Sequence, residues 1–548
     1  MKKRQGLDRR QVLKGMGATL GVLALRGYDA AAAAPAHFTH GVASGDPLAD
    51  RVVLWSRVLP GDGQARNLQV TWEVAEDLTF KRIAARGRTD TGAHRDYTVK
   101  VDATGLLPGK TYFYRFSSEG VSSSVGRTRT LPTGAVAAFS IGLCSCSNYP
   151  QGYFHAYREM AKADLDVVMH VGDYIYEYEA GKYSNPVATG QLGREVEPSN
   201  ELLALEDYRM RYGLYRTDPD LQAAHAAHPW ICVWDDHELC NDTWHSGAEN
   251  HNEGEGDFAR RIAAARKAYH EWLPIRTAAQ TDQGPIYRNF RVGDLADLIM
   301  LDTRLHGRDE QLSYFTDLPK AENPIVFRDQ VLAAQSRTIL GADQEAWLAS
   351  QLAASKDRGA TWQVLGQQVL MGRVMIPEIP ASALAGVELS ERSRRYFEAM
   401  QKLAPLGMPM NLDAWDGYPA CRERIHGQLL ELAENPVVLA GDTHNAWAFN
   451  MRDQAGRAVG VEIGTPGISS PGLETYLPLS PDALNQALRA SSEELVSLDT
   501  YRRGWSEIKL TPSAVSSQWH FVSTVLEREC DVAKGEVLTC EAGSRRFA

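Results

Sequence analysis

The segment that decides the predicted fold is Asp166-Val-Val-Met-His-Val-Gly-Asp-Tyr-Ile-Tyr-Glu-Tyr178. Residues 167–171 form a short apolar run rich in β-branched side chains, which predicts a buried strand. Gly172 breaks this strand, so Asp173 lies just beyond its carboxyl end, and Tyr176 follows three residues later. In open α/β sheets, ligands bind beyond the carboxyl ends of the strands. A carboxylate and a phenol at this position predict a cation site, although a strand followed by Gly-Asp is common in proteins.

Four other predicted strands run into polar clusters of the same kind. From residue 135 onward, strands alternate with amphipathic helical segments, which is the pattern of a layered α/β domain. The polar clusters that follow the strands are Cys144-Ser-Cys146, Asp235-Asp-His-Glu238 with Asn241, Asp302-Thr-Arg304, and Gly441-Asp-Thr-His-Asn445. Carboxylates can bridge two cations, Asn supplies a neutral oxygen, and imidazole suits borderline metals. The strand ends together predict a pair of cations able to clamp a phosphoryl group.

The region before this layered part predicts an all-β fold. Residues 37–133 contain apolar or alternating runs at 51–58, 68–74 and 111–116, with Gly, Asp and Pro turns between them. We expect a small β-sandwich of the fibronectin or immunoglobulin type, with a tyrosine packed at a strand corner near residues 107–116. The region carries no catalytic motif. The predicted division is therefore a β-sandwich domain at 37–133 and a catalytic domain at 134–548.

The first 36 residues predict an export signal. A basic segment precedes the apolar run 16–25, and the alanines that follow offer a cleavage site near Ala36. The stretch Asp8-Arg-Arg-Gln-Val-Leu-Lys14 resembles a twin-arginine signal, and the apolar run is too short to span a membrane comfortably. We expect residues 1–36 to be a twin-arginine signal peptide recognised by the twin-arginine export machinery. The mature protein is then periplasmic or secreted and has no transmembrane segment.

The charge balance restricts the class of partner. The whole chain has a formal net charge of −11, and the part after residue 36 carries 51 basic and 67 acidic side chains. A strongly acidic surface repels polyanions. We therefore expect no specific nucleic-acid binding, and we expect phosphate-bearing substrates to be attracted locally by bound cations or arginines.

The chain has seven cysteines, and their number is odd. In an oxidising compartment, Cys530 and Cys540 are candidates for a disulfide near the carboxyl terminus. At least one thiol is then left over, and ligation to a metal would protect it. We expect Cys144, Cys232 and Cys240 to be small buried residues rather than ligands.

These motifs resemble those of the PhoD-like alkaline phosphatase and phosphodiesterase family within the metallophosphoesterases. The segments that carry the resemblance are Ser145-Cys146, 172–178, 234–238 with Asn241, 301–304 and 441–444, together with 41–46 and 53–56 in the β region. The resemblance implies a metallophosphoesterase-type α/β fold, a layered β-sheet core flanked by helices, preceded by a small all-β sandwich. It also implies an exported enzyme that uses Fe(III) and Ca²⁺ on phosphate monoesters and diesters.

Carried over residue by residue, the resemblance implies a ligand set for each metal. Iron would be held by Cys146, Asp173, Tyr176 and His444. Asp173 would bridge to calcium, with Asn241 and Asp442 completing the calcium site. Asp236 occupies the position where the wider superfamily often has a ligand Asn, so both Asp236 and Asn241 remain candidates. Cys146 is preferred to Cys144 because it follows Ser and precedes Asp173 by 27 residues.

Two further residues are candidates for catalysis, each with a structural alternative. His237 is either an acid or cation beside the leaving oxygen or a histidine that only supports the fold. The first role is chemically suitable because imidazole transfers protons near neutral pH. Arg304 binds phosphate through its planar fork, or it is an ion-pair partner within the protein.

Three functions follow from this set of residues. The first is a phosphatase of the PhoD type, in which a metal-activated hydroxide attacks phosphorus in line. The second is a phospholipase D-like phosphodiesterase acting on phospholipids or nucleotide diesters, with the long segment 372–420 forming an apolar mouth. The third is a non-catalytic iron or phosphate-ester binding protein of the cell envelope.

Overall fold

The computed structural model describes residues 36–277, 284–380, 383, 391–477 and 479–548. The predicted signal peptide falls outside this part of the chain, apart from its last residue. None of the helices within the described ranges is long and apolar enough to cross a membrane.

Short strands outnumber helices. In chain order the strands are β1 (Val42–Gly45), β2 (Arg51–Arg57), β3 (Leu68–Ala75), β4 (Ile83–Thr91), β5 (Thr98–Thr104), β6 (Thr111–Ser118), β7 (Val121–Ser122), β8 (Gly126–Arg129), β9 (Phe139–Cys144), β10 (Val167–His170), β11 (Pro229–Cys232), β12 (Thr243–Trp244), β13 (Gly247–Ala248), β14 (Arg288–Val292), β15 (Ala296–Met300), β16 (Trp362–Gly366), β17 (Pro436–Ala440), β18 (Ala446–Arg452), β19 (Ala458–Gly464), β20 (Leu495–Asp499), β21 (Arg503–Leu510), β22 (Ala514–Val522) and β23 (Val532–Glu541). The helices are α1 (His155–Lys162), α2 (Pro186–Leu192), α3 (Leu205–Tyr215), α4 (Pro219–Ala227), α5 (Phe258–Trp272), α6 (Pro324–Val326), α7 (Gly341–Asp357), α8 (Glu391–Leu403), α9 (Pro419–Leu432) and α10 (Pro481–Ser491).

Two large mixed sheets form the body of the protein. The nine-stranded sheet has the order β23-β22-β21-β9-β10-β11-β1-β2-β5, and β9, β10 and β11 are parallel in its centre. The seven-stranded sheet has the order β14-β15-β16-β17-β19-β18-β20, and its strands β15, β16, β17 and β19 are parallel. The parallel strands of each sheet therefore deliver their carboxyl ends to one edge, where the predicted polar clusters lie.

Side chains of the seven-stranded sheet are buried on both of its faces. Along β15, Leu298 and Met300 join the core shared with the nine-stranded sheet, which contains Val168 of β10. The intervening Ile299 instead packs with Leu348 of α7, on the helix-covered face. This double burial explains why the strands appear in the sequence as continuous apolar runs rather than as alternating ones.

The amino-terminal β region shares a sheet with the layered part of the chain. Strands β3, β4, β6, β7 and β8 form a separate five-stranded sheet, whereas β1, β2 and β5 extend the nine-stranded sheet through the parallel pair β1–β11. A buried cluster that includes Val52, Leu54 and Phe116 fills the space between the two sheets. The predicted tyrosine corner is confirmed, because Tyr112 Oη accepts a hydrogen bond from the Leu107 amide at 2.9 Å.

The predicted hairpin near the carboxyl terminus is present as the antiparallel pair β21–β22. The sequence did not indicate β23, which pairs with β22 at the edge of the nine-stranded sheet. The suggested disulfide between Cys530 and Cys540 is wrong, since both residues are free cysteines. Most of β23 separates them, and eight residues of extended chain span roughly 25 Å, well beyond the reach of a disulfide.

Candidate metal centre

The carboxyl ends of β10 and β11 meet closely because Gly172 has no side chain. Its φ is +113°, and a Cβ there would lie 2.3 Å from Cβ of Asp235. The buried carboxylate of Glu238 accepts backbone N–H bonds from both sides of the junction, from Asp173 and Tyr174 and from Asp235, at 2.7–3.0 Å. The Gly-Asp and Asp-Asp-His-Glu motifs are therefore parts of one hydrogen-bonded unit.

A second close approach joins the two sheets. A Cβ on Gly441, at the end of β17, would lie 2.6 Å from Oγ of Ser145, which follows β9. The missing side chain lets the loop that carries Asp442 and His444 lie directly against the loop that carries Cys146. Residues from opposite sheets thus share one small volume.

Four of the candidate ligands have left-handed backbone conformations. The φ values are +62° at Cys146, +58° at Asp173, +65° at Asp442 and +62° at His444. Residues with a side chain rarely adopt such angles, which cost on the order of 1–3 kcal/mol each and concentrate at functional sites. The fold imposes these angles on the residues that the sequence singled out.

Among the residues that the structure describes, three groups of side chains lie close enough to hold ions, with all ligand atoms of a group within 4.8 Å of one another. The groups are Cys146 with Asp173 and His444, Asp173 with Asp236 and His237, and Asp235 with Asp236 and Asp442. Asp173 belongs to the first two groups and Asp236 to the last two. This sharing is what a bridged pair of cations requires.

The Tyr176 hydroxyl lies within the first group. It is 2.9 Å from Oδ2 of Asp173 and 3.2 Å from Nε2 of His444, and it is also 2.7 Å from Oγ of Ser470. Burial, reinforced by the Asp173 carboxylate, raises the pKa of Tyr176 well above its usual value, and the same causes raise the pKa of the Cys146 thiol. A cation between the two groups would favour their charged forms.

At the metal centre, three buried carboxylate oxygens accept no hydrogen bond from any described residue. They are Oδ1 of Asp173, Oδ2 of Asp235 and Oδ1 of Asp236. Leaving a buried charged oxygen unsatisfied is costly. Unsatisfied oxygens that converge on thiol, phenol and imidazole groups fit metal ions, so this donor set is suited to a metal cofactor.

His237 is buried beside this acidic cluster and is oriented by Glu177. Its Nδ1 lies 2.7 Å from Oε2 of Glu177, which leaves Nε2 for the cluster. Burial alone lowers the pKa of the imidazole, but surrounding carboxylates raise it well above the usual value; they belong to Glu177, Asp173 and Asp236. Glu177 is itself held by the Asn250 side chain and by the amide of Asn241, both at 2.8 Å.

Arg304 is fully buried and is surrounded by carboxylates. Its guanidinium binds Asp235, reaches Asp413 at 2.7 Å, and lies 3.4–3.5 Å from Asp236 and Asp442. All three of its nitrogens are therefore committed to the protein. This favours the ion-pair interpretation of Arg304 over phosphate binding.

The two residues left open by the sequence have different recorded contacts. The side-chain amide of Asn241 donates to Glu249 at 3.1 Å. Asp236 takes part in two of the ion-binding groups of acidic, thiol and imidazole side chains. The structure therefore supports Asp236 as a candidate ligand, and a role for the Asn241 oxygen stays a prediction.

Four residues at or beside the centre were not selected from the sequence. Asp235 and Glu177 lie inside the quoted motifs, next to residues that were selected, so the sequence could have indicated both as members of the site. Tyr183 was expected to be core or site wall, but its hydroxyl lies 3.2 Å from Nδ1 of His444. Asp413, which pairs with Arg304, lies within the segment 372–420, where no local pattern distinguishes it.

Two face-to-face mixed sheets flanked by helices, with paired metal-binding groups at the strand ends, define a metallophosphoesterase. The family model for PhoD-like phosphatase matches residues 139–519, and the model for the N-terminal domain of PhoD-like phosphatases matches residues 23–132. The chain belongs to the PhoD-like phosphatase family.

Individual proteins agree with this assignment. Alkaline phosphatase D of Bacillus subtilis (strain 168) is 39% identical over 429 residues, which cover 76% of this chain and 65% of that protein. The chain thus matches slightly less than two thirds of that relative's length. A solved structure of PhoD is 32% identical with a TM-score of 0.77, covering 94% of this chain and 92% of the other. The purple acid phosphatase PPD1 of yellow lupin seeds, at 11% identity, TM-score 0.50 and coverage of 92% and 74%, shares the fold alone.

Proposed function

We propose that this protein is an exported, metal-dependent phosphoesterase that hydrolyses phosphate monoesters and diesters. The observation that carries the proposal is the position of Asp173, whose carboxylate belongs to two ion-binding groups and has one buried oxygen without a hydrogen-bond partner. A carboxylate shared in this way suits a two-cation site for phosphoryl chemistry. The similarity to alkaline phosphatase D of Bacillus subtilis supports the same reaction class.

The donor atoms suggest which metal each group would hold. Thiol, phenol and imidazole at Cys146, Tyr176 and His444, with Asp173, suit Fe(III). The oxygen donors of Asp173 and Asp442, with either Asp236 or Asn241 as a further ligand, suit Ca²⁺. When bound, such a pair supplies Lewis-acid polarisation of the phosphoryl oxygens and acidification of water.

The protein's own groups organise the charge around that pair. Arg304 offsets the repulsion among the carboxylates that surround it. Glu177 binds Nδ1 of His237 and so fixes the ring with Nε2 directed to the cluster. This imidazole can therefore ligate a cation or hold a proton beside a leaving oxygen.

Export rests on the predicted twin-arginine signal at residues 1–36, which places the enzyme in the periplasm or outside the cell. The acidic mature chain supports small phosphate esters, including phospholipid or nucleotide esters, rather than nucleic acid as substrates.

Metal analysis combined with a small substrate panel tests this function. Protein exported from its host should contain iron and calcium, be coloured by a phenolate on iron, and release p-nitrophenol from p-nitrophenyl phosphate and from bis(p-nitrophenyl) phosphate. Chelation should remove both activities. Tight metal binding without turnover of either ester would favour a non-catalytic binding protein instead.

We predict that Glu177→Gln weakens cation binding. The Gln side chain cannot hold the His237 ring as a carboxylate does, and loss of such a support typically costs 10–100-fold in metal affinity. The dissociation constant for Ca²⁺, measured by calorimetry on the iron-loaded protein, should rise by roughly that factor.

The matched control is Glu201→Gln. Glu201 accepts hydrogen bonds from Asn250 at 3.1 Å and from Arg261 at 2.8 Å, but it has no described contact with His237. The Glu201→Gln variant should bind Ca²⁺ as the unmodified protein does. Equal dissociation constants for the two variants would contradict the positioning role of Glu177.

A further inference from the structure

A cavity of about 550 Å³ opens directly onto the metal centre. Its wall includes Asp442, Thr443 and His444, the loop that follows β17. Cavities of roughly 300–1,000 Å³ are the usual size for binding small molecules. Any group placed at the metal centre therefore has direct access to this space.

The rest of the wall is mainly apolar. Aliphatic, thioether and aromatic side chains come from the segment 370–414, including α8, and from residues 473–477; they include Ile376, Ile379, Phe397, Met400, Leu473 and Tyr476. Most of these are nearly buried, with Ile376 at 4% and Met400 at 7% exposure. An apolar wall of this extent beside a polar centre indicates a ligand with two chemically different ends.

Two polar side chains in the wall are already bound within the protein. Gln401 accepts from the Ile379 amide at 2.9 Å and donates to the Pro377 carbonyl at 3.0 Å. Asp416 binds the Arg422 guanidinium and accepts from the Val374 amide at 2.9 Å. Neither is free to bind a sugar or a nucleobase, which need hydrogen bonds from a buried site. Other polar side chains of the wall, such as Asn411 and Thr475, lie at less buried positions.

The volume of the cavity favours an aliphatic chain over a single aromatic ring as its ligand. A dry protein cavity of about 150 Å³ is sufficient for benzene, so one ring would leave most of this cavity empty. A chain of several methylenes would fill more of it and would gain about 0.8 kcal/mol for each methylene buried.

We propose that this cavity binds the hydrocarbon chain of an amphiphilic phosphoester whose phosphate lies at the metal centre. The substrate class is then a phosphoester that carries an unbranched alkyl or acyl chain. This inference rests on the proposed phosphoesterase function and defines its substrate further. It assigns the segment 370–414 a role in specificity, through residues outside the metal-binding groups.

A homologous series of alkyl p-nitrophenyl phosphodiesters tests the inference, because every member releases the same p-nitrophenol. With methyl, butyl and hexyl esters kept below their aggregation concentrations, kcat/KM should rise about three- to fourfold per methylene. From methyl to hexyl, which adds five methylenes, the expected rise is roughly 250- to 1,000-fold. A phenyl p-nitrophenyl diester should be a poorer substrate than the hexyl ester.

Two cavity variants should reduce this chain-length dependence. Ile379→Trp fills the cavity, and Leu473→Asp places a charge in its wall at a partly exposed position. In each, the rise from methyl to hexyl should fall below about tenfold, with turnover of the methyl ester retained. Leu78→Asp is the matched control, since Leu78 is 65% exposed and does not line the cavity. The second variant covers the case in which the first does not fold.

Failure of this inference can be separated from failure of the proposed function. Hydrolysis of the methyl ester with no dependence on chain length, or a preference for the phenyl ester, would overturn the inference alone. If no ester is hydrolysed, the proposed function fails, and binding of hexylphosphonate and methylphosphonate to the metal-loaded protein is compared by calorimetry. Tighter binding of hexylphosphonate that is lost in Leu473→Asp supports the inference, and equal dissociation constants overturn it.

Discussion

Replacing Asp173 by Asn should lower kcat/KM for p-nitrophenyl phosphate by roughly a thousandfold while the protein remains folded. In the proposed site, Asp173 is the only residue common to the thiol-containing group and the His237-containing group. Bound cations contribute several kcal/mol of transition-state stabilisation, and each 1.4 kcal/mol is a factor of ten in rate. An amide in place of the bridging carboxylate should remove much of that contribution.

The fold should tolerate this change for a physical reason. Asn has the size of Asp, and it removes one negative charge from a cluster that also contains Asp236 and Asp442. Relief of like-charge repulsion should leave the midpoint of thermal unfolding in chelator unchanged or slightly higher. Loss of activity with a normal midpoint would therefore locate the defect in the metal centre.

Asp166→Asn is the matched control, because it makes the same substitution at the opposite end of the same segment. Asp166 pairs with Arg129 and accepts from the Ser140 amide at 2.8 Å, away from the metal-binding groups. This variant should keep the rate of the unmodified protein. A near-normal rate and full metal content in Asp173→Asn would refute the bridging role.

Replacing Arg304 by Gln should destabilise the metal-free protein by about 3–5 kcal/mol, the usual cost of removing one partner from a buried ion pair. The side chain is 0% exposed, and its removal leaves the carboxylates of Asp235, Asp413 and their neighbours without a compensating charge. The free energy of unfolding, measured in urea with chelator present, should fall by this amount.

Calcium should reduce the cost of the Arg304 substitution. A divalent cation held among the same carboxylates supplies the missing positive charge, so the loss of stability should be clearly smaller in saturating Ca²⁺ than in chelator. Arg308→Gln is the control: Arg308 is also buried, but it pairs with Asp413 alone, so its cost should be smaller and should depend less on calcium. Equal losses for Arg304→Gln with and without Ca²⁺ would contradict a shared role of arginine and cation.

Much of the fold could be predicted because a buried strand has a recognisable run of apolar residues in the sequence. Five strands of the layered part were indicated within one or two residues, as with the apolar run before Gly441 and the observed β17 at Pro436–Ala440, whereas the buried strands β16 and β19 were not indicated. The edge strand β23 was missed because it is largely exposed and its apolar residues do not alternate regularly with polar ones. Without a buried face, a strand has no periodic apolar pattern to reveal it.

The sequence by itself determined the residue types of the site and the strands that carry them. Cys146, Asp173 and His444 each follow an apolar run, and Gly172 and Gly441 mark the junctions. These are local properties of the chain, set by propensity and burial.

Only the tertiary structure decided which candidates meet. It placed Asp236 in the cluster and the Asn241 side chain on Glu249, it surrounded Arg304 with carboxylates, and it brought Asp413 to the site from more than a hundred residues away. Such contacts depend on the stacking of two sheets and on loops whose courses are set by long-range packing. A linear pattern contains no measure of distance between side chains on different strands, so the pairing of the ligands and the charge balance emerge only in the folded protein.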